Sequence, residues 1–470
     1  ITLIDRQAAA TYSGMVPGCL ADIYSSDDTQ LPLQPLATEY AHFNEFHQGS
    51  VVDIDFQEKH IWFVPIPKEQ QLTDDSMPTQ NNKKMISFDI LSIDIGSTSR
   101  GWKSIPGARQ YTLPTRPISN LVAQFESWTK DVTTTKPQPI HMVIIGAGAA
   151  GIELSMSIHS RWNSVVDNLK ITLVHSGDQI VPNESDWCRS KLVSLLEERN
   201  IEIVNDCVVQ EVLSDQVVVV SSNTNTKTSI PFTHCIWATG AEAHDISHHL
   251  GNNRGLQITD DGWICVTPTF QSVSYPYVFA AGDCCHIVSS HQRSPPKAGV
   301  YAVRAGPIIS HNLISLLLEN KNDKLQHYQP QSDFLKLMVC GNGMALGFRF
   351  GIPMYGKWVM NLKDSIDNKF MNLFRMKYLV ENSDEDKQYD DSDDDEDEPT
   401  IEPKLAASIL LTEDVSIHDE KLDYNVPWKI IRRMMKDETY QQEVVSECHR
   451  HRGVAIEQQQ PVLSVNNETS

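Results

Sequence analysis

Residues 140–151 read IHMVIIGAGAAG. Ile140 and the run Met142, Val143, Ile144 and Ile145 have the length and apolarity of a buried strand. The run meets Gly146, Gly148 and Gly151 at G-x-G-x-x-G spacing, and Glu153, Leu154, Met156 and Ile158 continue as a helix. A strand feeding such a turn into a helix is a dinucleotide-binding unit. Gly146 permits the tight turn. Gly148 lets the backbone approach a pyrophosphate seated on helix N-terminal amides, and Gly151 lets helix and strand pack closely. The turn lies well inside the chain rather than at its start, and that placement needs its own explanation.

Upstream, residues 1–5 (ITLID) predict a short strand ending in Asp5, an acid placed to accept ribose hydroxyls. The glycine turn that should precede it would lie before residue 1, so the chain is expected to be truncated or processed. An ordinary strand end is the competing reading of Asp5. Residues 12–18 (YSGMVPG) are turn-rich, and a helix is predicted near 36–46. Strands are predicted at 49–56, 60–65 and 85–95, with a polar loop at 68–84. After Arg116-Pro117, Leu121, Val122, Phe125 and Trp128 share a helical stripe, and 129–139 reads as a linker.

Downstream, the strand at 169–175 ends in His175, where an acid would mark NADH. Arg161 and His175 are candidates for a 2′-phosphate or for solvated surface, so the choice between NADH and NADPH stays open. Ala238-Thr239-Gly240 ends another strand in residues small enough to pack against a nucleotide. The strand YVFA at 277–280 leads to Ala281-Gly282-Asp283, whose carboxylate suits a polyol hydroxyl. Pro295 to Gly299 open a helix running to about 318, and its N-terminus, with Lys297, suits negative charge on the pyrimidine side of a ring. A Pro-started helix with a solvated lysine is the alternative. Residues 358–374 form an amphipathic helix whose basic face would hold Lys363, Lys369, Arg375 and Lys377. It reads first as internal to a third subdomain and second as a contact for a membrane surface or a protein partner.

Composition narrows the class. The 470 residues suffice for two or three domains, and a net charge of -22 disfavours nucleic-acid binding. Much of that charge sits in the run 390–398, DDSDDDEDE, which predicts a disordered acidic tail. No apolar run reaches the ~18 residues of a membrane span. A cytoplasmic or organellar setting, membrane-peripheral at most, is the expectation. The nine cysteines include no Cys-x-x-Cys pair, and Cys284-Cys285 read as buried thiols. Cys448, His449 and His451 lack a second ligand cluster, so no metal is expected.

Together these pieces resemble the pyridine nucleotide–disulfide oxidoreductases. The dinucleotide turn, Ala238-Thr239-Gly240 and Ala280-Ala281-Gly282-Asp283 carry that resemblance. A closer one rests on Tyr12 to Gly18, Arg116-Pro117-Ile118, Pro296 to Arg304, Gly356 to Val359 and Leu362 to Asp367. These look like the type II NADH dehydrogenase-like flavoprotein module fused to selenide,water dikinase in some organisms, without its kinase domain. The resemblance implies an α/β fold with two Rossmann-like domains, a small α+β C-terminal domain and a disordered acidic tail. The FAD domain (1–136 and 237–322) would be split by an NAD(P)H domain (137–236). An interface-like domain (323–380) and the tail (381–470) would follow. It further implies FAD and NAD(P)H as cofactors and hydride transfer to an acceptor that is a quinone or a selenium or sulfur compound. Glu153 would face the nicotinamide, and Lys297 would stabilise the reduced flavin. Cofactor contacts would come from Asp5, Gly146, Gly148, Gly151, Thr239, Gly240, Gly282, Asp283 and Lys297. The disulfide reductases' Cys-x-x-x-x-Cys is missing at Cys19. The alternative is a non-enzymatic nucleotide-binding scaffold that binds partners through its tail.

Overall fold

The computed structural model describes residues 1–39, 45–67, 82–134, 138–290, 292–318, 324–331, 333–374, 401–411, 430, 433–434 and 437–451. Its centre is a five-stranded parallel sheet in the order Ile201–Val204, Leu169–Val174, Ile140–Ile145, His234–Trp237, Leu113–Pro114. Alternate side chains of Ile140–Ile145 serve two cores. Met142 and Ile144 pack under the helices Ala149–Trp162 and Asp186–Glu197. Val143 and Ile145 pack under the antiparallel meander Cys207–Val212, Gln216–Ser221, Lys227–Pro231. Burial on both faces is why this strand is apolar at Ile140 and from Met142 to Ile145.

A second α/β unit flanks it. Thr2–Asp5 runs parallel to Glu45–Asp55, which continues antiparallel into His60–Pro65 and Lys84–Ser87. Leu91–Ile93 runs parallel to Val278–Ala280, chain segments on either side of the central domain in sequence. The helix Gly299–Leu317 packs Ala305 and Ile309 onto these strands. A third unit consists of the antiparallel strands Lys336–Gly341, Met344–Arg349 and Ile352–Gly356 with the helix Lys357–Asn372.

Several sequence expectations change. The helix predicted near 36–46 starts earlier, at Leu33, with Leu33–Glu39 described as helical, and residues from Glu45 onward pair as a strand with Thr2–Asp5. The expected linker 129–139 is helical as far as Thr134. Its threonines bond back along the helix, Thr129 Oγ1 to the Phe125 carbonyl at 2.9 Å, and Trp162 Nε1 donates to Thr129 Oγ1 at 3.0 Å. The acidic run lies outside the described residues, as do Arg375 and Lys377. The polar region beyond residue 400 nevertheless contributes the helices Pro403–Leu411 and Glu438–His451. Ala406, Leu410, Ile430, Met434, Tyr440, Val444 and Cys448 are buried against Met354, Trp358 and Val359. Sparse apolar residues suffice because each meets a core already formed. Lys363, expected on a basic surface, is buried, while Lys369 is exposed.

Candidate functional site

The dinucleotide turn has the geometry its spacing implies. Gly146 has φ +113°, and a Cβ there would lie 2.4 Å from the Ala238 carbonyl oxygen. A Cβ at Gly151 would lie 1.8 Å from the Gly146 carbonyl oxygen, whereas one at Gly148 would meet nothing within 4 Å. Two glycines therefore close the turn, and the third faces open space. Gly148 caps the helix Ala149–Trp162 without a side-chain hydrogen bond. Ala298 caps Gly299–Leu317 in the same way. By contrast, Asp186–Glu197 is capped by Ser185, whose hydroxyl accepts from the Cys188 amide. The two helices expected to face nucleotides thus leave their first amides without a side-chain cap, the donor set a phosphate or an anionic ring edge requires.

The carboxyl ends of both parallel sheets meet at Asp283. Ser97 Oγ donates to Asp283 Oδ2 at 2.9 Å, and Arg116 Nη2 lies 4.0 Å from the same oxygen. Gly282, at φ +74°, makes the turn after Val278–Ala280. Asp94 braces this turn from the neighbouring strand, its Oδ1 accepting from the Ala281 amide at 3.1 Å. Burial pushes its carboxyl above the usual range. Asp94, Ser97 and Arg116 were not singled out as site residues in the sequence. The signal for the first two was present, since Leu91–Ile93 is a strand running into Asp94-Ile95-Gly96-Ser97, an acid and a glycine at a strand's carboxyl end.

The other expected site residues are distributed as follows. Asp5 ends its strand and accepts the Gln7 amide at 2.7 Å. Burial raises its carboxyl pKa. Thr239 Oγ1 donates to the Arg100 carbonyl at 2.7 Å, and the Arg100 amide donates to the Gly240 carbonyl at 2.8 Å. Ala238 sits against Gly146, so this motif borders the Gly146 turn as the chain returns to the flanking unit. Lys297 differs from expectation. Its ammonium donates to the Cys285 carbonyl and lies 4.3 Å over the Trp263 ring, which leaves the helix start as the positive element aimed outward. Arg161 is paired with Glu126 and Asp22. The His175 ring bonds the Gln179 carbonyl at 2.9 Å. Cys284 and Cys285 are buried free thiols.

Glu153 joins the central helix to the third unit. Its carboxylate accepts the Val339 amide at 2.7 Å. Burial pushes its pKa up to about 7, against the pull of Lys363. Lys363 Nζ donates to Asp367 Oδ2 at 2.7 Å and to the Gly14 carbonyl at 2.6 Å, and Tyr12 donates to Asp367 Oδ1 at 3.0 Å. Both side chains of that ion pair are about 95% buried, at 6% and 5% exposure.

Helix starts without a side-chain cap and acids at strand ends are the groups that bound dinucleotides require. A protein with nucleotide-binding units of this kind, joined at their carboxyl ends, is a two-nucleotide oxidoreductase in architecture. The family model for pyridine nucleotide-disulphide oxidoreductases matches residues 1–306, and the chain belongs to that family. It is an FAD-dependent NAD(P)H oxidoreductase, which sets the scaffold alternative aside. It is 22% identical over 377 residues to the type II NADH:quinone oxidoreductase of Haemophilus influenzae, covering 74% of this chain and 80% of that one. It is 25% identical over 160 residues to the mitochondrial external alternative NAD(P)H-ubiquinone oxidoreductase B1 of Solanum tuberosum, covering 32% of this chain and 27% of that one. The fold matches NDH2 from Plasmodium falciparum in complex with NADH at a TM-score of 0.67 and 13% identity, covering 80% of this chain and 90% of that one. It also matches the sulfide:quinone oxidoreductase of Aquifex aeolicus at a TM-score of 0.62 and 17% identity, covering 80% and 85%. Among the described residues no helix is long and apolar enough to cross a membrane, and no cluster of His, Cys, Asp or Glu could hold a metal ion.

Proposed function

We propose that this chain oxidises NADH or NADPH through FAD and delivers the electrons to a quinone. The observation that carries this reading is the meeting of the two sheets' carboxyl ends at Arg116 and Asp283, 4.0 Å apart. Ligands of open α/β sheets bind outside those ends, so two dinucleotides bound there would approach one another at this point. The relative from Haemophilus influenzae, matched over 80% of its length, supports a quinone. A selenium or sulfur compound is the second candidate, resting on the resemblance to the module fused to selenide,water dikinase.

The geometry supports the following division of labour. Gly148 and the first amides of Ala149–Trp162 hold the nicotinamide dinucleotide's pyrophosphate. Asp5 holds a ribose and Asp283 a polyol hydroxyl. When bound, FAD supplies hydride acceptance and electron return. The start of Gly299–Leu317 stabilises the negative charge that develops on reduction. Glu153, its pKa raised to about 7 by burial, would hold a proton near neutral pH at the boundary with the third unit.

The reading is tested on the full chain by its absorption spectrum, by anaerobic addition of NADH and NADPH, and by reoxidation with a water-soluble ubiquinone analogue or a polysulfide. A flavin spectrum that bleaches and is restored by the quinone is the expected result. A chain without flavin, or a flavin that neither nucleotide bleaches, refutes the assignment.

Glu153→Gln gives a separate expected result. Because the folded carboxyl titrates near 7 and the unfolded one near 4.5, the unfolded state loses its proton first as pH rises. The wild type's stability therefore falls between about pH 4.5 and about 7 through this group, and the variant lacks that slope. Its reoxidation rate also loses the pH dependence centred near 7. Stability curves at several pH values and a pH–rate profile check both.

A further inference from the structure

Arg349 ends the strand Met344–Arg349 of the third unit and pairs with Ile352 across the turn. Its side chain is 14% exposed. The guanidinium lies over the Phe350 ring, 4.5 Å from the centroid, so the ring covers one flat face. The N–H groups leave from the edge of that plane. Nε is buried without a hydrogen-bond partner among the described residues. The acid beside it is Asp333, whose Oδ2 lies 3.9 Å from Nε, beyond hydrogen-bond distance. Asp333 is 40% exposed and also faces Lys336 at 3.7 Å.

Other arginines packed into the structure show the contrast. Arg161 holds Glu126 through two nitrogens, and Arg199 donates to the Leu195 and Cys340 carbonyls at 2.8 and 3.1 Å. Withdrawing five donors from water without supplying acceptors is unfavourable. The surroundings of Arg349 add positive charge instead. Arg304 stands exposed in the second turn of the helix Gly299–Leu317. One turn before it, the Tyr301 ring meets Phe334 edge-on at 5.6 Å, and Phe334 follows Asp333 in the chain. The Lys336 ammonium lies 5.2 Å from the same Phe334 ring. Lys336 is matched by Glu184 at 2.8 Å. Burial lowers the Arg349 pKa, Asp333 opposes that, and the like charge of Arg304 lowers it further. In a chain of net charge -22, a seam where two guanidinium groups face one shared acid is not a by-product of composition.

We infer that Arg349 and Arg304 form a binding site for a phosphate group at the seam between the helix Gly299–Leu317 and the third unit. The planar fork of Arg349 matches two oxygens of such a group, and Arg304 supplies the second positive charge that a doubly negative oxyanion needs. A bound phosphate would give the buried N–H groups their acceptors and tie the flavin-side helix to the third unit. The site is distinct from the dinucleotide sites, because Arg349 meets Asp333 and Phe350 rather than Asp5, Gly148 or Asp283. It does not depend on the flavoprotein reading. Free phosphate and the phosphate of a lipid headgroup share this chemistry, and the test separates them.

The full chain is titrated calorimetrically with inorganic phosphate at constant ionic strength, with and without saturating FAD and NAD+. Vesicles of phosphatidylcholine, with and without phosphatidate, form the second arm. Phosphate is expected to bind equally well in the presence of the dinucleotides. Arg349→Met is expected to weaken that binding by about 10- to 100-fold, the effect of losing a charge-assisted contact. Arg304→Met should weaken it by about 10-fold, and because Arg304 is exposed this variant keeps the test open if Arg349→Met misfolds. Arg349→Lys should recover part of the loss, since it keeps the charge without the fork. Binding only to phosphatidate vesicles, lost in both methionine variants, assigns the same site to a lipid headgroup. No binding in either arm overturns the inference, as does binding that the folded variants leave unchanged. Phosphate binding abolished by FAD or NAD+ assigns the ion to a dinucleotide site and also overturns it. A chain that binds phosphate at Arg349 but no flavin leaves this inference standing and refutes only the flavoprotein reading. Circular dichroism of each variant separates loss of binding from loss of fold.

Discussion

Gly151→Ala is expected to destroy the nicotinamide site and to cost the central domain at least about 3 kcal/mol. The added Cβ would fall 1.8 Å from the Gly146 carbonyl oxygen and 3.0 Å from its carbon. Neither is the movable end of a side chain. Relief would require shifting Gly146, whose own Cβ position is blocked by the Ala238 carbonyl at 2.4 Å. The strand end, the turn and the helix start would have to separate together. Gly148→Ala is the matched control, because its Cβ meets no protein atom within 4 Å. It is expected to leave thermal stability unchanged while weakening NADH binding, since the methyl group projects into the pyrophosphate's space. Melting temperature and NADH titration of the two variants check the contrast. Equal behaviour would show that the turn is not closed by backbone contact.

Lys363→Met is expected to destabilise the chain by about 3–5 kcal/mol. The ammonium bridges Asp367 and the Gly14 carbonyl, and removing it leaves a carboxylate that is 5% exposed with, among the described residues, only the Tyr12 hydroxyl as a donor. The double variant Lys363→Met/Asp367→Leu is expected to recover much of the loss, because no charge then stays behind without its counter-ion. The single variant should also push the Glu153 pKa further above about 7, since Lys363 is the group that pulls it down. Urea denaturation of the wild type and the variants, with the pH–rate profile of Lys363→Met, measures both effects. Full stability in the single variant would place the ion pair in solvent rather than in the core.

The strand, turn and helix at residues 140–162 were legible because their physics is local. The five strand residues Ile140 and Met142 to Ile145, buried on both faces, must be apolar, and the glycine spacing follows from contacts within a few residues. The strand ends at Asp5 and Asp283 were legible for the same reason. The buried lysine was not. A lysine at 363 between Leu362 and Asp364 carries the pattern of a solvated face, and only the arrival of Gly14 and Tyr12 from the other end of the chain makes it internal. The helices beyond residue 400 were hidden similarly. Their few apolar residues are buried against one another and against a cluster that includes Met354, Trp358 and Val359.

The amino-acid sequence by itself determined the nucleotide turn, the family and the cofactor class, because each depends on short runs whose backbone requirements are written in residue type. The tertiary structure decided which acids and cations meet. Ser97 and Arg116 reach Asp283, Val339 reaches Glu153, and Gly14 reaches Lys363. The partners in these contacts lie more than 160 residues apart in the chain, and only the folded chain brings their charges close enough to act on one another.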